Sequence, residues 1–350
     1  MMPYNIEILD SAFNYKSSYQ TQDMEYHEDY LVMDNSRCVA HQITAAEGDY
    51  IIISGAAKNV GIVTACEDKG TDFEIQFKPV LMMTDVDVHY DREQLKTVSL
   101  EAWIAGILND TFRDNADTMQ NITGFSAVPL TETKNVVIEL ESNIGNLYSI
   151  ITEALVKYSV VVDFEIDVNK KTLTASIQAR NKESPVIEAD LPNILSRLFV
   201  IKQADKTVNK LSVYNENDET EHMEFYMLED GSIVTDRTAA GRISPVVFAT
   251  TYIKHDADDE QTFEEAAYEK AFSSMQAADY NNLIELTMLN DDILVNPGKM
   301  KIGQRVKVIR NGTVYDTVLT GKVIGKTTKL IFGAVRLELT KKLKRRMQGK

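Results

Sequence analysis

The sequence predicts a mostly β fold of the α+β class: two small antiparallel β-barrel domains, one toward each end, flanking a mixed α+β region. Three observations carry that expectation. Residues 1–95 and 299–342 are dense in short apolar or alternating runs set between turn residues. Between them, two stretches repeat apolar residues at helical spacing. The closing stretch holds Asn311-Gly312 between two β-rich runs, the strongest short hairpin signal, because both central residues of a type I′ turn need positive φ.

That closing stretch is the clearest. Val306 and Val308 lead into the turn, and Val314, Thr317 and Leu319 leave it. Thr320-Gly321 reads as a second turn before Val323 and Ile324, with Leu330 to Phe332 and Val335 to Leu339 behind. A meander of this size has exposed edges and one buried face, so it must close on itself or add strands from elsewhere.

The first barrel is expected in residues 1–95. Its runs are Tyr30 to Met33, Cys38 to Ile43, Tyr50 to Ser54, Gly61 to Cys66, Phe73 to Phe77 and Val80 to Met83. Turn chemistry such as Asp34-Asn35-Ser36 and Glu47-Gly48-Asp49 separates them. The mixed domain, 96–190, opens with a helix over 99–112, where Ser99 can cap and Glu101 sits in the first turn, favoured by the helix dipole. Trp103 lies on its apolar stripe and reads as core. Arg113 to Phe125 is polar and turn-rich, and Val136 to Leu140 reads as a strand.

A second helix over 144–158, with Leu147, Ile150, Ile151, Ala154 and Leu155 on one face, feeds a hairpin over 160–178 that turns at Asp167 to Lys171. Residues 191–255 read as strands completing the first barrel and the middle domain. They are Ile194 to Lys202, Lys210 to Tyr214, and a hairpin of Glu224 to Leu228 with Ser232 to Thr235. Val246 to Ile253 is an almost continuous apolar run, expected to be buried on both faces or to sit between two units. The second barrel domain, 256–350, begins with a helix over 262–277 whose Thr262 and Glu265 stand at capping-box spacing. Asn281 to Leu289 is its next strand, and Asn296-Pro297-Gly298 turns into the closing meander.

The bulk properties fit two to three soluble domains: 350 residues, 44% hydrophobic and 26% charged. No run approaches the ~18 apolar residues of a membrane span, and the N-terminus lacks the basic and apolar parts of a secretory signal. Cys38 and Cys66 do not make a disulfide framework, so a reducing cytoplasm is the simpler setting. The net charge of −16 is uneven: residues 299–350 hold fifteen Lys/Arg and two acids, a net +13, which leaves −29 on residues 1–298. Such a body repels nucleic acid, while the basic part either meets an anionic surface or docks on the acidic body or a neighbouring subunit.

Residues for chemistry are few. His27, His41, His89, His222 and His255 show no metal-ligand spacing. No nucleophile elbow and no phosphate-binding glycine loop occur. Asp256, Asp258, Asp259 and Glu260 suggest Ca²⁺, but they lack the loop glycine and precede a helix N-terminus, where they compensate its dipole. Glu25, Glu28 and Asp29 beside His27 form a second acidic cluster, without a cleft to give it a role. The basic tail Lys341-Lys342-Leu343-Lys344-Arg345-Arg346 lacks the interleaved aromatics of a single-strand platform and reads as a solvated end. No catalytic, cofactor-binding or metal residue is assigned, and the chain is not expected to be an enzyme.

The ordered segments resemble the tail-hub, or baseplate-hub-like, proteins of long-tailed bacteriophages, in particular the N-terminal hub part of the tail-associated lysin and prophage tail-protein family. GDYIIISG with GIVTACEDKGTDFEIQFKPVLMMTDVDV resembles that family's first barrel, and SLEAWIAGILNDTF its first long helix. NLYSIITEALVKYSVVVDFEIDVNKKTLTASI resembles its helix-plus-hairpin unit, KLSVYN then EFYMLEDGSI the strand and hairpin that follow, and GQRVKVIRNGTVYDTVLTG with FGAVRLELT the closing barrel. Each piece is a loose pattern; the strength lies in their order along nearly the whole chain.

The resemblance implies a structural protein of a phage or prophage tail tip, assembled in the bacterial host cytoplasm. It implies a homotrimeric hub whose paired barrels form a pseudo-sixfold ring between tail tube and adhesion device, with DNA passing through. Partners would be the distal tail protein, the tape-measure protein and receptor-binding or fibre proteins, with no stable membrane insertion. Three copies of a −16 chain carry −48, and an acidic lumen lets DNA slide without phosphate-holding cations. Longer relatives continue into a peptidoglycan-cleaving domain or a fibre, whereas this chain stops at Lys350, so no lytic activity carries over. The rival readings are a tail-associated cell-wall hydrolase using scattered Asp/Glu, and a nucleic-acid-binding module built on an OB-like final barrel.

Overall fold

A computed structural model describes every residue except 1–2, 42, 56–57, 135, 137, 139–141, 181–184, 202–207, 229–232, 245, 257–260, 277–281 and 335–350. Strands hold 46% of the chain and helices 16%, so the mostly β class is borne out; no closed barrel is found among the described residues. The chain divides into two compact units. One comprises Met1–Val136, Leu140–Val200 and Asn282–Lys350, the other Val137–Glu139 and Ile201–Asn281.

The first unit opens with seven strands, β1 (Tyr4–Leu9), β2 (Tyr15–Thr21), β3 (Met24–Asp29), β4 (Ser36–Ala40), β5 (Tyr50–Ser54), β6 (Lys58–Asp68) and β7 (Phe73–Pro79). Period-2 alternation turns Tyr4, Ile6, Ile8, Tyr26, Cys38, Ile51, Ile53, Ile75 and Phe77 into one shared core. There follow β8 (Asp87–His89), helix α1 (Leu100–Phe112), β9 (Phe125–Pro129), β10 (Ile144–Asn146), α2 (Leu147–Tyr158), the hairpin β11 (Val160–Asp167) and β12 (Thr172–Ala179), then β13 (Val186–Glu188) and β14 (Ser196–Ile201).

Ser99 caps α1 by accepting from the Ala102 N–H, and Asn146 caps α2 by accepting from Ser149. Trp103 is 1% exposed, and its indole N–H donates to the Asp91 carbonyl at 2.9 Å, so it is a core residue as expected.

The second unit is a four-stranded sheet of β15 (Lys210–Asn215), β16 (His222–Met227), β17 (Ile233–Val234) and β18 (Phe248–Ile253), in the order β17-β16-β15-β18. Helix α3 (Phe263–Gln276) lays Phe263, Ala267, Ala271 and Met275 against Leu211, Val213 and Phe225 of that sheet. The expected capping box is present: Thr262 Oγ1 accepts from the Glu265 N–H at 3.3 Å, and Glu265 Oε2 accepts from the Thr262 N–H at 3.1 Å.

Returning to the first unit, β19 (Asn282–Leu289), β20 (Arg305–Arg310), β21 (Thr313–Ile324) and β22 (Thr327–Phe332) form the closing meander. Asn311 and Gly312 adopt φ of 49° and 76°, the positive pair the hairpin needs. The meander adds strands from elsewhere: β21 pairs with β3 across Gly321↔Asp29 to Ile324↔Tyr26. One 13-stranded sheet results, ordered β14-β19-β22-β21-β3-β4-β7-β6-β5-β1-β2, with β20 on β21 and β13 on β20.

Several local expectations are corrected. Tyr30 to Met33 is not a strand; the Asp29 carboxylate accepts from the Leu31 N–H at 2.8 Å and turns the chain as β3 ends. Val80–Thr84 is a 3₁₀ turn behind Pro79, stapled where the Thr84 hydroxyl donates to the Leu81 carbonyl at 2.7 Å. Thr320-Gly321 is a bulge inside one long strand rather than a turn. Strands β1, β2 and β9 were not anticipated, although Tyr4, Ile6 and Ile8 alternate. Helix α2 starts at Leu147 because Ile144–Asn146 is drawn into a strand against β8. The run Val246 to Ile253 is not buried on both faces, since Phe248 is 75% exposed. Helix α3 packs on the sheet of the second unit, whereas the closing meander belongs to the first. Most of Val136 to Leu140, Val335 to Leu339 and the basic tail lie outside the described residues. No described helix is long and apolar enough to cross a membrane.

Candidate functional site

Strand alternation splits the acidic cluster of β3. Glu25 and His27 share one face, with Glu25 Oε1 and His27 Nε2 2.6 Å apart, while Glu28 lies on the other face with Tyr26 and Tyr30. The remaining histidines do not converge. His41 contacts Asp72, His89 stands on β8, His222 stacks on Tyr214 with ring centres 5.0 Å apart, and His255 Nε2 meets the Gln261 carbonyl at 2.8 Å. Of the Ca²⁺ candidates, Asp256 accepts from the Asn217 amide at 2.8 Å, and Asp258, Asp259 and Glu260 lie outside the described residues. Among the described residues no group of three His, Cys, Asp or Glu is placed to hold a metal. Cys38 and Cys66 are both free thiols.

Glu28 instead faces a cleft of about 410 Å³ within the first unit, where β3, the β11–β12 hairpin, the loop 298–302 and β21 meet. Antiparallel register sets Lys322 of β21 directly opposite Glu28. Asp163 of β11 and Arg180, just after β12, form an ion pair in the same cleft, and the Gln178 amide donates to Asp163 at 2.7 Å. Two cations hold the loop: Lys322 Nζ donates to the Met300 carbonyl, and Arg180 Nη1 to the Ile302 carbonyl at 2.7 Å. The Tyr30 hydroxyl donates to the Val162 carbonyl at 2.5 Å, tying β3 to the hairpin.

Burial controls the electrostatics. It pushes the half-buried Glu28 carboxyl up, against the attraction of Lys322, and Asp163 pushes the same way. Burial likewise pulls the Lys322 ammonium down, and Lys322 is only 6% exposed. Tyr26 and Tyr30 are raised well above their ordinary value, first by burial and then by the neighbouring carboxylates. Perturbed groups in a cleft are the usual mark of an acid–base site. Among the described residues no His or Cys lines the cleft; Lys322 and Arg180 donate to backbone carbonyls, and Arg180 also pairs with Asp163. The geometry joins three separate parts of the chain. Sequence reasoning named Glu28 but missed Asp163, Arg180 and Lys322, which lie 135 or more positions away and carry no motif.

No protein-family model and no curated protein matches the chain. Solved structures do. The 43 kDa tail protein of prophage MuSo2 from Shewanella oneidensis superposes with a TM-score of 0.56 at 13% identity, over 95% of this chain and 98% of that one. Prophage tail protein gp18 from Listeria monocytogenes EGD-e superposes with a TM-score of 0.50 at 12% identity, over 98% of both chains. The chain therefore shares the fold of these two prophage tail proteins, in line with the phage tail resemblance of its ordered segments.

Proposed function

We propose that the protein is a structural component of a phage or prophage tail tip: a homotrimeric hub forming a ring that connects the tail tube to the host-adhesion device and lets DNA pass. The observation that carries this reading is the near end-to-end match of fold to two prophage tail proteins. The described charged cleft supports a structural role in that Lys322 and Arg180 fasten the loop 298–302 through backbone carbonyls. The net charge of −16 per chain suits a conduit that repels the phosphate backbone. Its partners would be the distal tail protein, the tape-measure protein and receptor-binding or fibre proteins at the virion tail tip, after assembly in the host cytoplasm.

Light scattering and particle imaging of the chain, alone and with the distal tail protein, test this. A mass of three copies and a ring with a central opening are expected. A stable monomer under both conditions rejects it. Muropeptides released from host cell walls would favour the hydrolase reading instead, and a salt-dependent retardation of DNA in a gel would favour the nucleic-acid-binding one.

A further inference from the structure

Register and side-chain direction disagree at one pair in the cleft. Directly opposed residues of an antiparallel pair hold their Cβ atoms about 5 Å apart, so Glu28 and Lys322 are neighbours by register. Yet the Lys322 ammonium turns to the Met300 carbonyl, and among the described residues no ion pair reaches the Glu28 carboxylate. One cation thus stands between two acceptors, a carboxylate on β3 and a backbone carbonyl of the loop 298–302. An ionised carboxylate is the stronger acceptor of the two.

The loop is fastened unevenly. It begins after Asn296, at φ +48°, and Pro297. At its far end Arg180 donates to the Ile302 carbonyl while pairing with Asp163, and the Gln304 N–H donates to the Lys301 carbonyl at 3.1 Å. In the middle, Met300 is held by the Lys322 contact and by burial of its side chain, which is 6% exposed. The near half therefore depends on Lys322, and the far half does not.

We propose that residues 298–301 form a strap released by ionisation of Glu28: Lys322 turns from the Met300 carbonyl to the carboxylate, and the cleft opens on that side. The groups around Glu28 set the direction. Burial, the largest influence, keeps it protonated above the ordinary 4.5, against Lys322 on β21 and Arg180 after β12, and with Asp163 on β11 acting the same way as burial. Tyr26 and Tyr30 share its face of β3 and are raised well above their ordinary value, so both are neutral. Lys58 of β6, Glu165 of β11 and Lys301 of the strap complete the charged lining. The strap is closed at low pH. As pH rises through the raised value, a buried carboxylate forms without a partner, and Lys322 is the cation that register places opposite it. Arg180 keeps Ile302 in place throughout, so only the Met300 half is freed. The device belongs to the first unit and does not depend on the tail-tip reading.

Oxidation of methionine by hydrogen peroxide reads the strap directly, because a buried thioether is shielded from the reagent. In the full chain Met119, 93% exposed, calibrates the reagent at each pH, and Met24, 4% exposed on β3, reports opening of the whole unit. Peptide mass spectrometry follows the initial rates from pH 4.5 upward, the ordinary carboxylate value. The ratio of Met300 to Met119 oxidation should rise at least about threefold, within the roughly tenfold per pH unit that one linked proton allows, while Met24 stays protected. In Glu28→Gln, with folding checked by circular dichroism, the ratio should stay flat. A flat ratio in the parent chain overturns the proposal without any variant. A rise shared by Met24 overturns it too, since the unit then unfolds as a whole. An equal rise in folded Glu28→Gln does the same, because another group must then be responsible.

Discussion

Lys322 on β21 stands directly opposite Glu28 on β3, in the pairing that welds the closing meander onto the first block of strands. Burial raises the pKa of the carboxyl and lowers that of the ammonium, so each is held toward its neutral form. For Glu28 the folded state binds its proton more tightly than the unfolded chain. The resulting stability is present at low pH and is lost as pH rises from the ordinary value of 4.5 through the raised one. Glu28→Gln removes that titration. The melting temperature of the variant minus that of the parent should increase as pH rises above the ordinary value of 4.5. A flat difference would show that Glu28 does not titrate anomalously.

Replacing Lys322 by Met removes the main charge opposing Glu28 and releases the Met300 carbonyl. Losing the charged donor of the Met300 carbonyl costs about 1–3 kcal/mol. Chemical denaturation of Lys322→Met should show that loss, and the Glu28→Gln/Lys322→Met double variant should recover the part that Lys322 contributes through its attraction for Glu28. Equal losses in the single and double variants would mean that the loop contact, not that attraction, carries the energy.

Glu101 has the opposite sign. Burial would raise its pKa, but hydrogen bonds from the Thr131 hydroxyl and from the Thr133 N–H and hydroxyl, each at 2.7 Å, outweigh it and leave the carboxyl below 4.5. Its contribution is present above the ordinary carboxylate range and fades as pH falls through the depressed value. Glu101→Ala should lose about 3 kcal/mol at neutral pH, and Glu101→Gln should show a shallower acid limb than the parent in urea titrations. An unchanged acid limb in Glu101→Gln contradicts this.

Gly303 sits at φ +83°, and an added Cβ would meet Val161 Cγ1 at 2.4 Å and Leu155 Cδ1 at 3.3 Å. Both conformation and space exclude a side chain at the end of the loop that Lys322 and Arg180 hold. Gly303→Ala should destabilise by about 2–3 kcal/mol. A loss below about 0.5 kcal/mol, within the range of ordinary surface changes, would show that the loop relaxes freely.

Thr262→Ala removes one half of the capping box on α3. A loss of about 1 kcal/mol is expected, read as faster amide exchange in the first turn of α3. Unaltered exchange there would mean that packing of Phe263 and Ala267 alone fixes the helix start.

Legibility in the sequence followed locality. Ser99, Thr262 with Glu265, and Asn311-Gly312 act within a few residues of themselves, and each occupies its expected role. Where a residue's fate hung on a distant strand, the expectation failed. Thr320-Gly321 has turn composition, yet Gly321 faces Asp29 so closely that a Cβ would lie 2.9 Å from its carboxylate, and the chain runs straight past β3. Glu28 looked like one member of an acidic cluster until strand alternation turned it away from Glu25 and His27.

The sequence by itself determined the mostly β class, the starts of α1 and α3, the closing hairpin and the order of segments that resembles phage tail hubs. Those properties arise from local φ preferences, capping and apolar periodicity, which act over a handful of residues. Only the tertiary structure decided that β21 joins β3, that Glu28 meets Lys322, and that the apolar run of β18 ends at an edge. Pairing between strands far apart in the chain depends on which backbone edges find partners, and backbone edges are the same for every sequence.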